Sequence, residues 1–136
     1  MTHIKKTQLF GILSIMFIAT FLSSCRADVA KISITDNEVR ISGYSHSVRI
    51  NVEDVKEIKL LDRMPRIVIR TNGIAVGGTR IGRFNLENTG RAKLFLHSRE
   101  APFILIERNN ERPVFLNYQE EGKTEKYYQK LREWLE

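Results

Sequence analysis

The chain has 136 residues, room for one domain that buries a core without disulfides or metals to staple it. With 42% hydrophobic and 28% charged residues it falls outside the composition of disordered chains. A formal charge of +6 favours anionic partners such as nucleic acid or lipid headgroups.

The N-terminus narrows those partners. Lys5 and Lys6 make a positive n-region, and Leu9 to Leu22 runs without a charge. That run is short of the roughly 20 apolar residues of a spanning helix and has the length of a signal-peptide core. Leu22-Ser23-Ser24-Cys25 follows and holds the only cysteine. A lone cysteine forms no intramolecular disulfide, so its place beside small residues needs another reason. The stretch resembles the bacterial lipobox, which implies cleavage before Cys25 and lipidation of its thiol. The alternative is an uncleaved, single-pass signal anchor. Both place residues from 26 onward outside the cytoplasm, which removes cytoplasmic nucleic acid and leaves the membrane, lipid headgroups and envelope proteins as partners. Cleavage removes Lys5 and Lys6 and leaves 20 basic against 16 acidic side chains, or +4. The expected organisation is a signal peptide over 1–24, a short anchor segment over 25–30 and a domain over 31–136. Extended, the anchor segment spans only about 20 Å, so the domain is held close to the bilayer.

From Lys31 the hydrophobic period is two. Ile32 and Ile34 alternate with polar neighbours, Asp36-Asn37 reads as a turn, and Val39 and Ile41 continue on a second strand. Val48, Ile50 and Val52 share one face of a third. Val55 to Leu61 is a fourth, with Ile58 and Leu60 inward. Arg66 to Arg70 places Ile67 and Ile69 on one face and Arg66, Val68 and Arg70 on the other. Residues 79–86, 92–97, 103–107 and 114–117 are further strands, the last two joined through an Asn109-Asn110 turn. The runs LFL, FILI and VFL are apolar at consecutive positions, which predicts burial on both faces. The period then changes: Tyr127 or Tyr128, Leu131, Trp134 and Leu135 recur at helical spacing, predicting a covering helix from about residue 121 to 135.

Residues 70–96 carry a further resemblance. Arg70, Asn72, Gly73 and Ile74, a glycine-rich bend at Gly78, then Gly82 and Phe84 on a strand, look like the corresponding segment of a bacterial pleckstrin-homology (PH) domain family. Trp134 is similar to the helix tryptophan of many PH domains. The resemblance covers about residues 30–136. It implies a mainly β, PH-like antiparallel barrel or sandwich of about seven strands capped by one C-terminal helix. It also implies a binding or assembly module, with no established catalytic residues and no cofactor.

The glycine-rich segment TNGIAVGGTRIGRF does not make a phosphate loop. Gly73 and Gly78 have the spacing, but Thr79-Arg80 follows where Lys and a helix are needed. Its glycines read as geometry: a turn at Gly77-Gly78 and a register shift at Gly82, since Ile81, Phe84 and Leu86 do not share one parity. Arg66, Arg70, Arg80 and Arg83 form a candidate anionic-surface patch if the two strands lie close, each charge near such a surface being worth about 1 kcal/mol. The plainer alternative is a solvated face paired with Glu53, Glu57 or Glu87. His46 and His97, without a second cysteine, make no zinc pattern. Ser45 and His46 are neighbours that point to opposite faces of a strand, so they make no nucleophile–base pair. Tyr127, Tyr128 and Trp134 read as core rather than as a membrane-interface belt. Sheet edges offer a second, structural use: pairing with a partner strand.

Overall fold

A computed structural model describes residues 28–136. The signal peptide over 1–24 and the lipidation of Cys25 lie outside the described residues. Strands β1 (Ala30–Ile34), β2 (Glu38–Gly43) and β3 (His46–Asn51) form an antiparallel meander in that order. One 3₁₀ turn, Val52–Asp54, leads to β4 (Val55–Leu61), β5 (Ile67–Val76), β6 (Thr79–Leu86), β7 (Gly90–Leu96), β8 (Phe103–Arg108) and β9 (Val114–Leu116). These six make a second sheet in the order β4-β8-β9-β7-β6-β5, and helix α1 (Lys123–Leu135) closes the chain. The result is a PH-like sandwich of two sheets with a C-terminal helix, and no barrel closes. The described residues hold nine strands, against about seven expected. The pairing of β7 with β9 is parallel amid antiparallel neighbours, a distinction that side-chain alternation does not encode.

The alternating residues face inward as their spacing requires. Val39, Ile41, Val48 and Ile50 are buried, while Arg40 and Arg49 face out. They pack on one face of the larger sheet, against Ile81, Phe95, Ile104, Ile106, Val114 and Leu116. The other face carries Phe84, Leu86, Leu94, Leu96, Leu105 and Phe115. The double burial expected of LFL, FILI and VFL is therefore present, with a broader cover than the C-terminus alone. Helix α1 packs against β4 and β8 and buries Leu131 completely, while the meander covers the rest of that face. On the opposite face Leu61, Met64 and Ile67 fold over the second cluster.

Three local expectations need correction. Leu60 is 37% exposed rather than inward; it stands opposite Ile104 near the end of the edge strand β4, where cover thins. Ile67 and Ile69 do not share a face. A register shift between them puts Ile67 opposite Leu86 and Ile69 opposite Asn85, leaving Ile69 58% exposed. The register shifts belong to β5, between Ile67 and Ile69 and between Arg70 and Asn72, and not to Gly82. The parity conflict on β6 resolves because Ile81 faces one core cluster while Phe84 and Leu86 face the other.

Helix α1 starts at Lys123 behind Gly122, which is left-handed at φ +77°. Thr124 Oγ1 accepts the Tyr118 N–H at 3.0 Å, which ties the helix start to the end of the sheet. Tyr127, Tyr128, Trp134 and Leu135 are partly buried against the core.

Gly82 answers to backbone contact. It stands opposite Gly73 at φ +132°, and a Cβ there would collide with the Asn72 carbonyl and the Gly73 Cα. Gly77, at φ +56°, has open space around it. Gly82→Ala should therefore cost about 3 kcal/mol, combining strain and overlap. Gly77→Ala should cost only about 1 kcal/mol, the left-handed penalty alone. Urea melts of the two variants check the difference.

Candidate functional site

Strands β5 and β6 pair as the arginine patch requires, but the four arginines do not gather on one surface. Arg66 makes an exposed ion pair with Glu87, Nε to Oε2 3.4 Å. Arg70 stands opposite Phe84, and Arg80 shares that side of β6. The Arg80 guanidinium donates to the Gly77 carbonyl at 2.6 Å and the Thr79 carbonyl at 2.8 Å, bracing the β5–β6 turn. Arg83, three residues on, has the opposite parity and lies on the side of the sheet that faces the meander.

There Arg83 lines a cleft of about 510 Å³ with Lys93, Arg108 and Arg112. The β2–β3 turn closes it from the other sheet through Ser45, His46 and Ser47. The position of each cation follows from the register. Arg83 and Lys93 are direct cross-strand partners on β6 and β7, an arrangement in which like charges repel. Arg108 ends β8, and Arg112 lies in the loop to β9. The Arg108 side chain is only 6% exposed. Its Nε donates to the Arg112 carbonyl at 2.7 Å, and its nearest carboxylate, on Glu111, is 4.0 Å away. The Lys93 ammonium donates to the Ser47 carbonyl at 3.2 Å.

Burial pushes the Lys93 amino group below its ordinary value of 10.5, and the charges of Arg108, Arg83 and Arg112 push it further, with Glu111 opposing. Burial likewise lowers Arg108, against Glu111 and Asp54. A concave surface where the partly desolvated Lys93 and Arg108 stand beside Arg112 and the exposed Arg83 can hold an anion. Among the described residues, no set of three His, Cys, Asp or Glu side chains is placed to hold a metal.

A second polar cluster is structural. Asn117 is fully buried, and its Oδ1 accepts the backbone N–H groups of His97 (2.9 Å) and Ser98 (3.2 Å). Its Nδ2 donates to the carbonyls of Ser98 and Glu100. The His97 Nε2 accepts the Ala30 N–H at 3.0 Å, so Nδ1 carries the hydrogen and donates to the Asn117 carbonyl at 2.8 Å. His97 stacks on Tyr118, and Tyr118 on Tyr127. Burial, the nearby Tyr127 and Asp28 raise the Tyr118 phenol well above its ordinary value. The Asn117 amide and both His97 ring nitrogens are matched within the protein, so these two residues join β1 to the larger sheet.

A family model described as a bacterial PH domain matches residues 30–116. The chain belongs to the bacterial PH domain family. No curated protein and no solved structure matches it. The matched span contains every residue of the cationic cleft, while helix α1 lies beyond it.

Of the cleft, only Arg83 is among the four arginines singled out in the sequence. Lys93 does leave a trace there, as the lone charge within AKLFL. Arg108 and Arg112 flank a turn and read as ordinary hairpin charges.

The lowered Lys93 value carries a pH signature. The folded state binds this proton less tightly than the unfolded chain does. The penalty is therefore complete below the folded value and vanishes as pH rises through it toward 10.5. The Lys93→Met variant should melt at a higher temperature than wild type at pH 7, with the gap narrowing as pH approaches 10.5. His46, Arg83, Arg108, Arg112 and Glu111 remain in both proteins, so the difference curve isolates Lys93.

Proposed function

We propose that the protein is a membrane-anchored lipoprotein whose PH-like domain serves as a non-catalytic binding or assembly module at the cell envelope. The cationic cleft carries this reading. It is concave and polar, it belongs to a domain of a family whose members generally bind rather than catalyse, and no nucleophile in it is hydrogen-bonded to a base. The tether rests on the lipobox-like Leu22-Ser23-Ser24-Cys25. The described chain is consistent with a domain held close to its anchor: Asp28 is ion-paired with Lys123, and Ala30 already belongs to β1. Diacylglyceryl modification, with two buried acyl chains, holds a protein firmly to a bilayer.

A second reading has one observation in its favour. Strand β5 is a sheet edge, with Val68, Ile69 and Val76 exposed at 52%, 58% and 71%. Long edges with exposed apolar side chains accept partner strands, so self-association or assembly into an envelope complex is the alternative use of the domain. Sedimentation over a range of concentrations tests it: a monomer throughout contradicts self-association, and a dimer weakened by Ile69→Lys supports it.

The tether predicts an intact mass for a chain beginning at acylated Cys25. Labelled fatty acid should enter the wild-type protein and be absent from Cys25→Ala. A membrane-bound, full-length chain without lipid contradicts this and favours the single-pass signal anchor.

A further inference from the structure

We propose that the cleft between the two sheets is a binding site for a phosphate-class oxyanion, gripped by Arg83 and Lys93 on one wall and by Arg112 and Arg108 on the other. The inference rests on the binding-module reading and names the chemistry of its ligand.

Charge balance is the first argument. Lacking a carboxylate within 4.0 Å is common among the described cations, as at the exposed Arg40, Arg70 and Arg91; what sets the cleft apart is that several such cations converge there. Arg83, Lys93 and Arg112 have no such carboxylate among the described residues, and the one acid lining the cleft, Glu111, is 4.0 Å from Arg108 with its own side chain 66% exposed. Four cations thus converge against one largely exposed carboxylate.

Position is the second argument. Arg83 and Lys93 are paired in register, where their repulsion works against the fold. Against that repulsion stands one hydrogen bond, from the Lys93 ammonium to the Ser47 carbonyl. Groups that oppose stability yet stand together in a concave site are the mark of a binding function.

Donor chemistry selects the ligand. Three guanidinium groups present planar forks that match phosphate or carboxylate oxygens, and the lysine adds a point charge. Ser45, His46 and Ser47 line the side of the cleft formed by the smaller sheet. The cleft volume of about 510 Å³ exceeds the needs of a bare phosphate and admits the remainder of a phosphorylated molecule.

Placement identifies two sources for that anion. Gly43 pairs with Ala30, so the β2–β3 turn that closes the cleft lies at the end of the meander where the chain enters. Cys25 is five residues before Ala30, a reach of at most about 18 Å. Lipid attachment would therefore hold the cleft within reach of phospholipid headgroups, while a soluble phosphorylated molecule could enter from the opposite side.

The test uses the full, acylated protein in phosphatidylcholine nanodiscs, titrated by calorimetry with inorganic phosphate and pyrophosphate at constant ionic strength. Saturable binding is expected, weakened at least about tenfold in Arg83→Gln and in Lys93→Gln and unchanged in Arg49→Gln. Both cleft variants should melt at or above the wild-type temperature, because each removes a repulsion; that separates lost binding from lost folding. Repeating the titration in nanodiscs that also contain phosphatidylglycerol separates the sources. Weaker pyrophosphate binding there assigns the cleft to lipid headgroups, and unchanged binding assigns it to a soluble phosphate. Absence of saturable binding, or binding indifferent to both cleft substitutions, overturns the proposal. With acylation of Cys25 intact, such a result leaves the tethered-module reading standing.

Discussion

Strands β7, β8 and β9 are buried on both faces along most of their length. Their side chains Leu94, Phe95, Ile104, Leu105, Phe115 and Leu116 are all buried, and this constraint organises the molecule. One face needs the meander and helix α1; the other needs the turn of the chain through Met64 to Ile67. Any polar side chain on these strands enters a medium where an unmatched donor or charge is costly. Two solutions are found. His97 and Asn117 are matched atom by atom within the protein. Lys93 and Arg108 hydrogen-bond the Ser47 and Arg112 carbonyls, but they face a cleft, beside two further arginines, with little acid to offset their charge. The contrast between a closed polar network and an open cationic one separates a structural cluster from the proposed binding site.

The double burial was legible in the sequence because LFL, FILI and VFL leave no polar face, and the helix because Leu131, Trp134 and Leu135 break the period of two. The bacterial PH resemblance was most specific over residues 70–96 and was read over about residues 30–136; the family match covers residues 30–116. What escaped has identifiable causes. Register shifts in β5 reversed the facing of Ile69, and a shift of one residue leaves no mark in composition. The parallel β7–β9 pair escaped because hydrophobic alternation is blind to strand direction.

The candidate site was legible only in its chemistry. Surplus positive charge pointed to anions, and Arg83 was one of the residues named for it. Its partners were not the nearby Arg66, Arg70 and Arg80 but Lys93, Arg108 and Arg112, brought together by β6–β7 pairing and the β8–β9 loop. Proximity in sequence was the wrong guide, since Arg80 and Arg83 occupy opposite faces of one strand. The glycine between them serves backbone geometry: Gly82 lets β6 approach Gly73 on β5, which fixes the strand from which Arg83 projects.

The central claim is that the crowded cations of the cleft are kept for a ligand. The most direct measurement is a chemical-shift map of the backbone amides during titration with pyrophosphate. The account predicts saturating shifts concentrated at Ser45–Ser47, Gly82–Arg83, Lys93 and Arg108–Arg112, with the outward face of β3 at Arg49 silent. Shifts spread over Arg66, Arg70 and Arg80, or a diffuse response proportional to salt alone, would contradict it.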